Sequence, residues 1–192
     1  MKTISIQGNM RADMGKSATK ALRREDGIPC VLYGGEEEVH FSVVGRDVRD
    51  LVYTSDFMVA ELTIDGKMHR SIVKDIQFHP VNEHILHIDF MELVDGRAVK
   101  VNLPVRFKGT SAGVKVGGKL QQKVRRVMVK VAPEDLVDEL FVDVSSLGLG
   151  QSVRVRDIQL VGNMELLTSP SIPVATVDIP RALRSATAAA EK

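Results

Sequence analysis

Short alternating segments separated by turn residues constrain the fold of this chain more than any other feature of its sequence. The clearest is 58–64 (MVAELTI), which is followed by Asp65-Gly66 and a second run over 67–78. Alternation with a period of two is typical of strands with one buried face, and an Asp-Gly pair between two such runs predicts a tight hairpin. The sequence therefore predicts a β-hairpin here and a β-rich fold around it.

The first 93 residues contain enough such segments for a small barrel. Besides the hairpin, strands are predicted at 3–10, 30–33, 39–44 and 85–93. In 45–54, Val48, Leu51 and Val52 recur at helical spacing, which predicts a short helix. Many short strands with few helices are typical of small all-β domains, and we expect residues 1–93 to form an antiparallel β-barrel.

The remainder of the chain predicts a second β-rich domain. Its character changes at Asp95-Gly96, so we place the boundary near residues 93–97. Strands are predicted at 99–107, 123–131, 140–144, 151–155, 164–168 and 172–177, with a short helical turn at 133–136. The predicted fold class is mainly β with short helices (α+β): a barrel over 1–93, a β-rich domain over 94–180, and a mobile or weakly helical tail over 181–192.

Composition favours a soluble cytoplasmic protein. The chain has 192 residues, of which 44% are hydrophobic and 27% charged, enough for one large or two small domains. No apolar run is long enough to span a bilayer, and the N-terminus lacks the apolar core of a signal peptide, so no membrane partner is expected. The single cysteine, Cys30, excludes an intramolecular disulfide and is predicted to be a small buried hydrophobe.

A basic segment near the N-terminus is the main candidate for a binding site. Between Arg11 and Arg24 stand five basic residues and one acid: Arg11, Lys16, Lys20, Arg23, Arg24 and Asp13. Ser17 is predicted to cap a helix that Gly27 ends. On that helix Lys20, Arg23 and Arg24 share one side, and Ala18, Ala21 and Leu22 share the other. One-sided charge favours an anion-binding face, although a merely solvated face is the ordinary alternative.

Two blocks of this sequence resemble a known family. The first block comprises Arg11, Gly15-Lys16, 20–24, 27–29 and 31–34; the second comprises 75–77, His79-Pro80 and 87–90. Together they resemble the bacterial 5S-rRNA-binding ribosomal protein family, the twenty-fifth protein of the large subunit. The resemblance implies a small barrel whose basic helix and neighbouring strands contact 5S rRNA. This chain has Thr19 and Lys20 where the family often has serine and arginine.

The predicted RNA-binding residues fall into two groups. Phosphate contacts are assigned to Arg11, Lys16, Lys20 and Arg23, because phosphates pair with cations. Contacts to base edges or 2′-hydroxyls are assigned to Ser17, Thr19, Tyr33, Gln77, His87 and Asp89. His87 and Asp89 are two apart on a predicted strand and should share one face, opposite Ile88 and Phe90. For Tyr33, packing in the core remains an equal alternative.

The net charge of the first 93 residues argues against RNA binding unless the acidic and basic residues lie on different parts of the surface. Residues 1–93 contain 11 basic and 15 acidic residues, whereas residues 94–180 contain 12 basic and 9 acidic residues. Phosphates respond mainly to charges within the screening length of about 8 Å at physiological salt. We therefore expect Glu36, Glu37 and Glu38 to lie in a loop away from the RNA. The few aromatic residues make an aromatic stacking platform an unlikely basis for binding.

The second half is similar to the extension found in the long form of the same family, the general stress protein CTC type. The matching residues are 108–110, 113–115, 117–118, 120–122 and 133–135. The same glycine-rich stretch partly fits a phosphate-binding P-loop, but Leu120 stands where a magnesium-binding Ser or Thr is needed, and the following residues alternate like a strand. The adjacent basic run, residues 115–130, cannot meet one partner with all its cations, because alternate strand residues face opposite ways.

These observations predict a non-catalytic structural component of the large ribosomal subunit. Its expected partners are 5S rRNA, the surrounding rRNA and neighbouring ribosomal proteins, and no cofactor is predicted. His79, His84, His87 and Asp89 are too irregularly spaced to predict a structural zinc site. The alternative is a stress-regulated protein-binding module in which RNA binding is secondary or absent.

Overall fold

The computed structural model describes residues 1–180, which fall into two compact units. The first comprises residues 1–99 together with 132–134, and the second comprises residues 100–131 and those from 135 onward. The predicted tail, 181–192, lies outside the described residues. No helix within residues 1–180 combines the length and the apolar character needed to cross a bilayer.

Within residues 1–99, strands and two short helices follow one another in a fixed order. They are β1 (Thr3–Met10), α1 (Lys16–Arg24), β2 (Gly27–Tyr33), β3 (Val39–Val44), α2 (Arg49–Tyr53), β4 (Val59–Ile64), β5 (Lys67–Phe78) and β6 (Ile85–Glu92). The strands close into a barrel in the order β1-β3-β2-β6-β5-β4, which confirms the predicted barrel.

The barrel is mixed, not antiparallel as predicted. β1 pairs with β4 in parallel, and β2 pairs with β6 in parallel. The other four neighbouring pairs are antiparallel. Side chains alternate between the faces of a strand whichever way its neighbour runs, so the sequence pattern contains no information on strand direction.

The predicted hairpin between β4 and β5 is confirmed. Its two loop residues, Asp65 and Gly66, both adopt left-handed backbone conformations, with φ of 49° and 77°. A two-residue turn with this geometry matches the right-handed twist of the flanking strands. Ile64 therefore pairs directly with Lys67, and the register of the two strands is set from the turn.

Two aromatic rings fill the centre of the barrel. Phe41 of β3 and Phe90 of β6 are completely buried, with ring centroids 5.7 Å apart and ring planes tilted by 42°. Cys30 lies in the same core, as predicted. Gly8 of β1 is required by this packing, since a Cβ there would lie 2.7 Å from Phe41 Cδ2. The core thus fixes the positions of the strands that form the outer surface.

The predicted second helix is present but shorter than expected. Val48 is fully buried, and Leu51 and Val52 pack against the core, as their spacing predicted. Residues 45–48 form a turn instead of the first helical turn, with Asp47 N donating to Val44 O at 3.0 Å. The helix proper therefore begins at Arg49, after this four-residue turn.

The second unit is β-rich, as predicted. From Val99 onward the elements are β7 (Val99–Lys108), α3 (Ala112–Lys115), β8 (Lys119–Gln122), β9 (Arg126–Val131), β10 (Leu140–Asp143), β11 (Ser152–Arg154), β12 (Glu165–Leu166) and β13 (Pro173–Asp178), with 3-10 turns at Pro133–Asp135 and Val155–Asp157. Val99 and the first two residues of the Pro133–Asp135 turn belong to the first unit. Four strands form a sheet in the order β10-β7-β9-β12, and three form a sheet in the order β11-β13-β8.

The glycine-rich stretch, which the sequence predicts to be a surface loop, either flexible or pressed on a partner, is partly packed against its own chain. Ser111 is 1% exposed and donates its hydroxyl to Leu147 O at 2.7 Å, and α3 follows it directly. Gly113 is also buried. The predicted strand over 123–131 begins only at Arg126, because the backbone amides of Lys123 and Val124 both donate to Val174 O on β13.

Candidate nucleic-acid interface

The basic segment forms α1, but Ser17 does not cap it. The helix begins at Lys16, and the capping position belongs to Gly15, whose backbone is extended and whose carbonyl accepts from Thr19 N at 3.0 Å. Thr19 Oγ1 also donates to Gly15 O at 2.9 Å. Ser17 therefore lies exposed in the first helical turn, where its hydroxyl is presented at the surface.

The helix ends before Gly27, the residue that the sequence predicts to end it. Arg24 is its last residue, and Asp26 adopts the left-handed conformation with φ of 58°. Gly27 begins β2 and provides space for Leu22, because a Cβ on Gly27 would lie 2.5 Å from Leu22 Cδ1. Leu22 is half-buried on this side. Ala21, which the sequence placed on the packed face, is exposed.

Three cations form a stripe along the exposed side of α1. Lys16, Lys20 and Arg24 are four residues apart in succession and all are exposed. Such neighbours lie about 6 Å apart, and like charges at this spacing destabilise a helix slightly. None of the three side chains makes a hydrogen bond or ion pair with another residue of the described chain. The stripe therefore presents positive charge that the protein itself does not compensate.

The two other predicted phosphate contacts, Arg11 and Arg23, are in contrast hydrogen-bonded to other residues of the protein. Arg11 Nη2 donates to Thr19 Oγ1 and to Asp13 O, each at 3.1 Å. Arg23 donates from Nε and Nη2 to Leu86 O at 3.1 and 2.9 Å. Because a guanidinium has five N–H donors, each arginine keeps donors for a second partner. Arg23 in addition ties α1 to β6 and so sets the position of the stripe.

Beside the helix, polar side chains from three neighbouring strands share the outer surface of the barrel. Cross-strand pairs align Val31 with Asp89, Asp89 with Asp75, and Gln77 with His87. Tyr33 lies two residues beyond Val31 on β2 and thus on the same face. We call this surface the polar wall; it comprises Tyr33, Asp75, Gln77, His87 and Asp89.

The predicted orientation of His87 and Asp89 is confirmed. Their side chains meet at 2.7 Å between His87 Nδ1 and Asp89 Oδ1, whereas Ile88 and Phe90 are fully buried. An ionised carboxylate can only accept, so Nδ1 donates the proton, and neutral His87 presents Nε2 as an acceptor. Asp89 keeps further lone pairs for an external donor. The pair therefore offers acceptors in a fixed geometry.

Tyr33 is half-buried on the outer face and is not enclosed in the core. Partial burial raises the pKa of its hydroxyl, and the nearby carboxylates of Asp89 and Asp75 raise it further, because both disfavour the phenolate. The hydroxyl thus stays protonated at physiological pH and can donate a hydrogen bond.

The structure adds two residues that were not among the predicted RNA contacts. Arg24 completes the cationic stripe, although its place on the charged side of the helix was visible in the sequence. Asp75 joins the polar wall because the register of β5 against β6 shifts between Val73 and Asp75. A β-bulge of this kind leaves no reliable trace in a hydrophobic pattern, so its consequence could not be predicted.

The basic run of the second unit is divided among several elements. Lys115 belongs to α3, Lys119 to β8, and Arg126 and Lys130 to β9. On β9 the two cations share the exposed face, as predicted, and Lys130 lies 3.6 Å from Glu165 of β12. The cations of residues 115–130 are therefore spread over several elements, whereas those of the stripe lie on one helix.

Comparison with known proteins defines the class first. Residues 6–90 match the model of the ribosomal L25p family, and residues 98–181 match that of the C-terminal domain of ribosomal protein TL5. The chain thus combines two ribosomal-protein domains in tandem.

Comparison with individual relatives then shows the family. A protein of Cytophaga hutchinsonii is 47% identical over 192 residues, covering all of both chains. Proteins of Phocaeicola vulgatus and Porphyromonas gingivalis are 42% and 41% identical, with 100% and 97% of each chain covered. All three are large ribosomal subunit protein bL25. The chain described here belongs to the ribosomal L25p family, which is a family of ribosomal proteins and not of enzymes, as predicted.

Proposed function

We propose that this protein is a structural component of the large ribosomal subunit in the cytoplasm and that its barrel binds 5S rRNA. Its full-length similarity to large-subunit proteins supports the first part. The second part rests on one observation: a stripe of uncompensated cations, Lys16, Lys20 and Arg24, lies on the helix that packs beside the polar wall.

The two parts of this surface suit different parts of an RNA duplex. Lysine and arginine neutralise phosphates, which gives affinity irrespective of sequence. Fixed acceptors and hydroxyl donors suit the shallow minor groove, where 2′-hydroxyls both donate and accept. In this proposal α1 follows the backbone, while His87, Asp89 and Tyr33 contact the groove. The remaining proposed RNA contacts, at the edges of this surface, are Gln77, Ser17 and Thr19.

A binding titration of the full-length protein with 5S rRNA tests the proposal. At physiological salt we expect tight binding that survives competition by a generic RNA duplex. Replacing Lys16 and Lys20 by alanine should weaken binding and flatten its salt dependence by roughly 0.7 to 0.9 log units per residue. Lys67→Ala, at an exposed lysine where β5 begins, is the matched control and should change neither quantity. Unaltered affinity and slope in the Lys16 and Lys20 variants would remove α1 from the interface.

His87→Ala separates specificity from affinity. Loss of the His87–Asp89 pair should lower the preference for 5S rRNA over the generic duplex by about tenfold, the effect expected for one hydrogen-bonded readout contact. Affinity for the generic duplex should change little. An equal loss on both RNAs would contradict a role in recognition.

Sedimentation distinguishes this proposal from the protein-binding alternative. A structural component of the large subunit should co-sediment with it and dissociate only at high salt, since phosphate contacts weaken as salt rises. A protein that remains in the soluble fraction at low salt would favour the alternative.

A further inference from the structure

A groove lies at the end of the barrel where β2 and β6 begin and β3 ends. Its volume is about 820 Å³, and Ile28, Val44 and Ile85 contribute apolar surface to it. Arg46 and Arg49 contribute guanidinium groups. An apolar surface bordered by cations suits a flat apolar group that carries a negative charge. We call this site the arginine groove.

Tyr53 gives the arginine groove an aromatic face. It is 63% exposed, although an aromatic ring of this size normally gains by burial. Arg49 lies four residues before it on α2, so the ring and the guanidinium emerge from the same side of the helix. Bases stack on aromatic rings while a cation holds the adjoining phosphate. One aromatic residue provides a place for one base.

The groove also has groups that could hydrogen-bond the edge of a base. His79 Nδ1 accepts from the backbone amides of Val81 and Asn82, each at 3.3 Å, so neutral His79 carries its proton on Nε2 as a donor. The carboxylates of Glu25 and Asp26 line the same groove and act as acceptors. Donor and acceptors thus adjoin the aromatic face and the cations.

The groove continues directly from the proposed RNA-binding surface. Arg23 lines it and is fixed by Leu86 O, and the next residue of β6 is His87 of the polar wall. Successive strand residues are about 3.3 Å apart, so one nucleotide spans the step from wall to groove. An RNA strand on the wall would therefore lie next to the groove.

We infer that the arginine groove binds a single unpaired nucleotide of the RNA whose duplex lies on α1 and the polar wall. This inference rests on the proposed function and extends it from duplex binding to recognition of an unpaired base. The base stacks on Tyr53, its phosphate pairs with Arg49 and Arg46, and its edge meets His79 and the carboxylates of Glu25 and Asp26.

The test uses full-length protein and two RNA hairpins that differ only by one unpaired 2-aminopurine in the stem. Wild-type protein should prefer the hairpin with the unpaired base and quench its fluorescence, because stacking quenches 2-aminopurine. Tyr53→Ala and Arg49→Ala should each reduce this preference by about tenfold, within the range measured for loss of one stacked base. Tyr53→Phe keeps the ring and should behave as wild type.

Two controls make the outcome decisive. Arg70→Ala removes an equally exposed arginine from β5, outside the groove, and should leave the preference intact. Alanine at Lys16 and Lys20 should weaken binding of both hairpins equally. A retained preference and retained quenching in Tyr53→Ala would overturn the groove assignment alone. Unchanged binding of both hairpins by the Lys16 and Lys20 variants would instead overturn the proposed function.

Discussion

The two ends of the barrel are built from the same strands but differ in charge. At the end where β6 begins, Arg23, Arg46 and Arg49 line the arginine groove and outnumber the carboxylates of Glu25 and Asp26. At the end where β6 finishes, a smaller groove of about 350 Å³ is lined by Glu36, Glu37, Asp65 and Glu92, with Lys67 and His69 among them. His69 is engaged there by Glu92, at 2.7 Å between Nδ1 and Oε1.

This difference accounts for the unfavourable net charge of the first 93 residues. The eight residues of β6 run from one end to the other, and at a rise of about 3.3 Å per residue its first and last residues are roughly 23 Å apart. The screening length at physiological salt is about 8 Å, so a phosphate at one end is nearly insensitive to carboxylates at the other. An acidic domain can therefore bind RNA, provided that many of its carboxylates lie farther from the phosphates than the screening length.

The largest expected effect concerns Cys30, which lies in the core between the two ends. Burial raises the pKa of its thiol to about 12, from 9.0 for a free thiol, because the core disfavours the thiolate. Only the thiolate reacts, so alkylation by iodoacetamide at pH 8 should be about a thousandfold slower in folded protein than in urea. Mass spectrometry of quenched samples measures the rate.

The alkylation rate of Cys30 also serves as a folding control for every variant at either end of the barrel. A surface variant that keeps the slow alkylation of Cys30 has an intact barrel, and its RNA affinity then reports on contacts alone. Rapid alkylation of the wild-type protein would show that the barrel opens readily.

The second largest effect is expected at the basic side. Lys20→Glu replaces the central cation of the stripe by a negative charge that faces a phosphate. Placing two like charges opposite each other across an interface costs several kcal/mol. We expect 5S rRNA affinity to fall about a hundredfold at physiological salt, and less at high salt. A filter-binding titration at two salt concentrations measures both. A loss smaller than that of Lys20→Ala would contradict a phosphate at this position.

A third prediction tests the polar wall without RNA. In Tyr53→Phe protein, Tyr33 is the remaining tyrosine, so its ionisation can be followed by ultraviolet absorbance. Asp89→Asn removes a negative charge that disfavours the phenolate, and the pKa of Tyr33 should fall towards its ordinary value. An unchanged titration would show that Asp89 and Tyr33 are farther apart than the wall requires.

The smallest effect is expected at the acidic end. Glu36→Lys combined with Glu37→Lys changes the net charge by four, yet the affinity for 5S rRNA should rise less than about twofold at physiological salt, because the charges lie beyond the screening length. At low salt the increase should be larger. A large increase at physiological salt would mean that RNA reaches this end and that the two ends do not act separately.

The sequence predicted those features that depend on local patterns. Alternation and Asp65-Gly66 determined the hairpin, and the spacing of Val48, Leu51 and Val52 determined the inner face of α2. The pairing of His87 with Asp89 on one face followed from the two-residue period of a strand. Local errors arose where two signals competed, as at the start of α1, where Ser17 was the better capping residue but Gly15 had the extended backbone.

What the tertiary structure decided depends on residues distant in the chain. Leu86 O holds Arg23 from 63 positions away, and the bulge in β5 brings Asp75 opposite Asp89. The arginine groove gathers α1, α2 and the starts of two strands. Hydrophobic patterns with a period of two or 3.6 residues indicate which face of a strand or helix is buried, because the whole pattern lies within one segment. They do not indicate which segments become neighbours, since packing around Phe41 and Phe90 determines that.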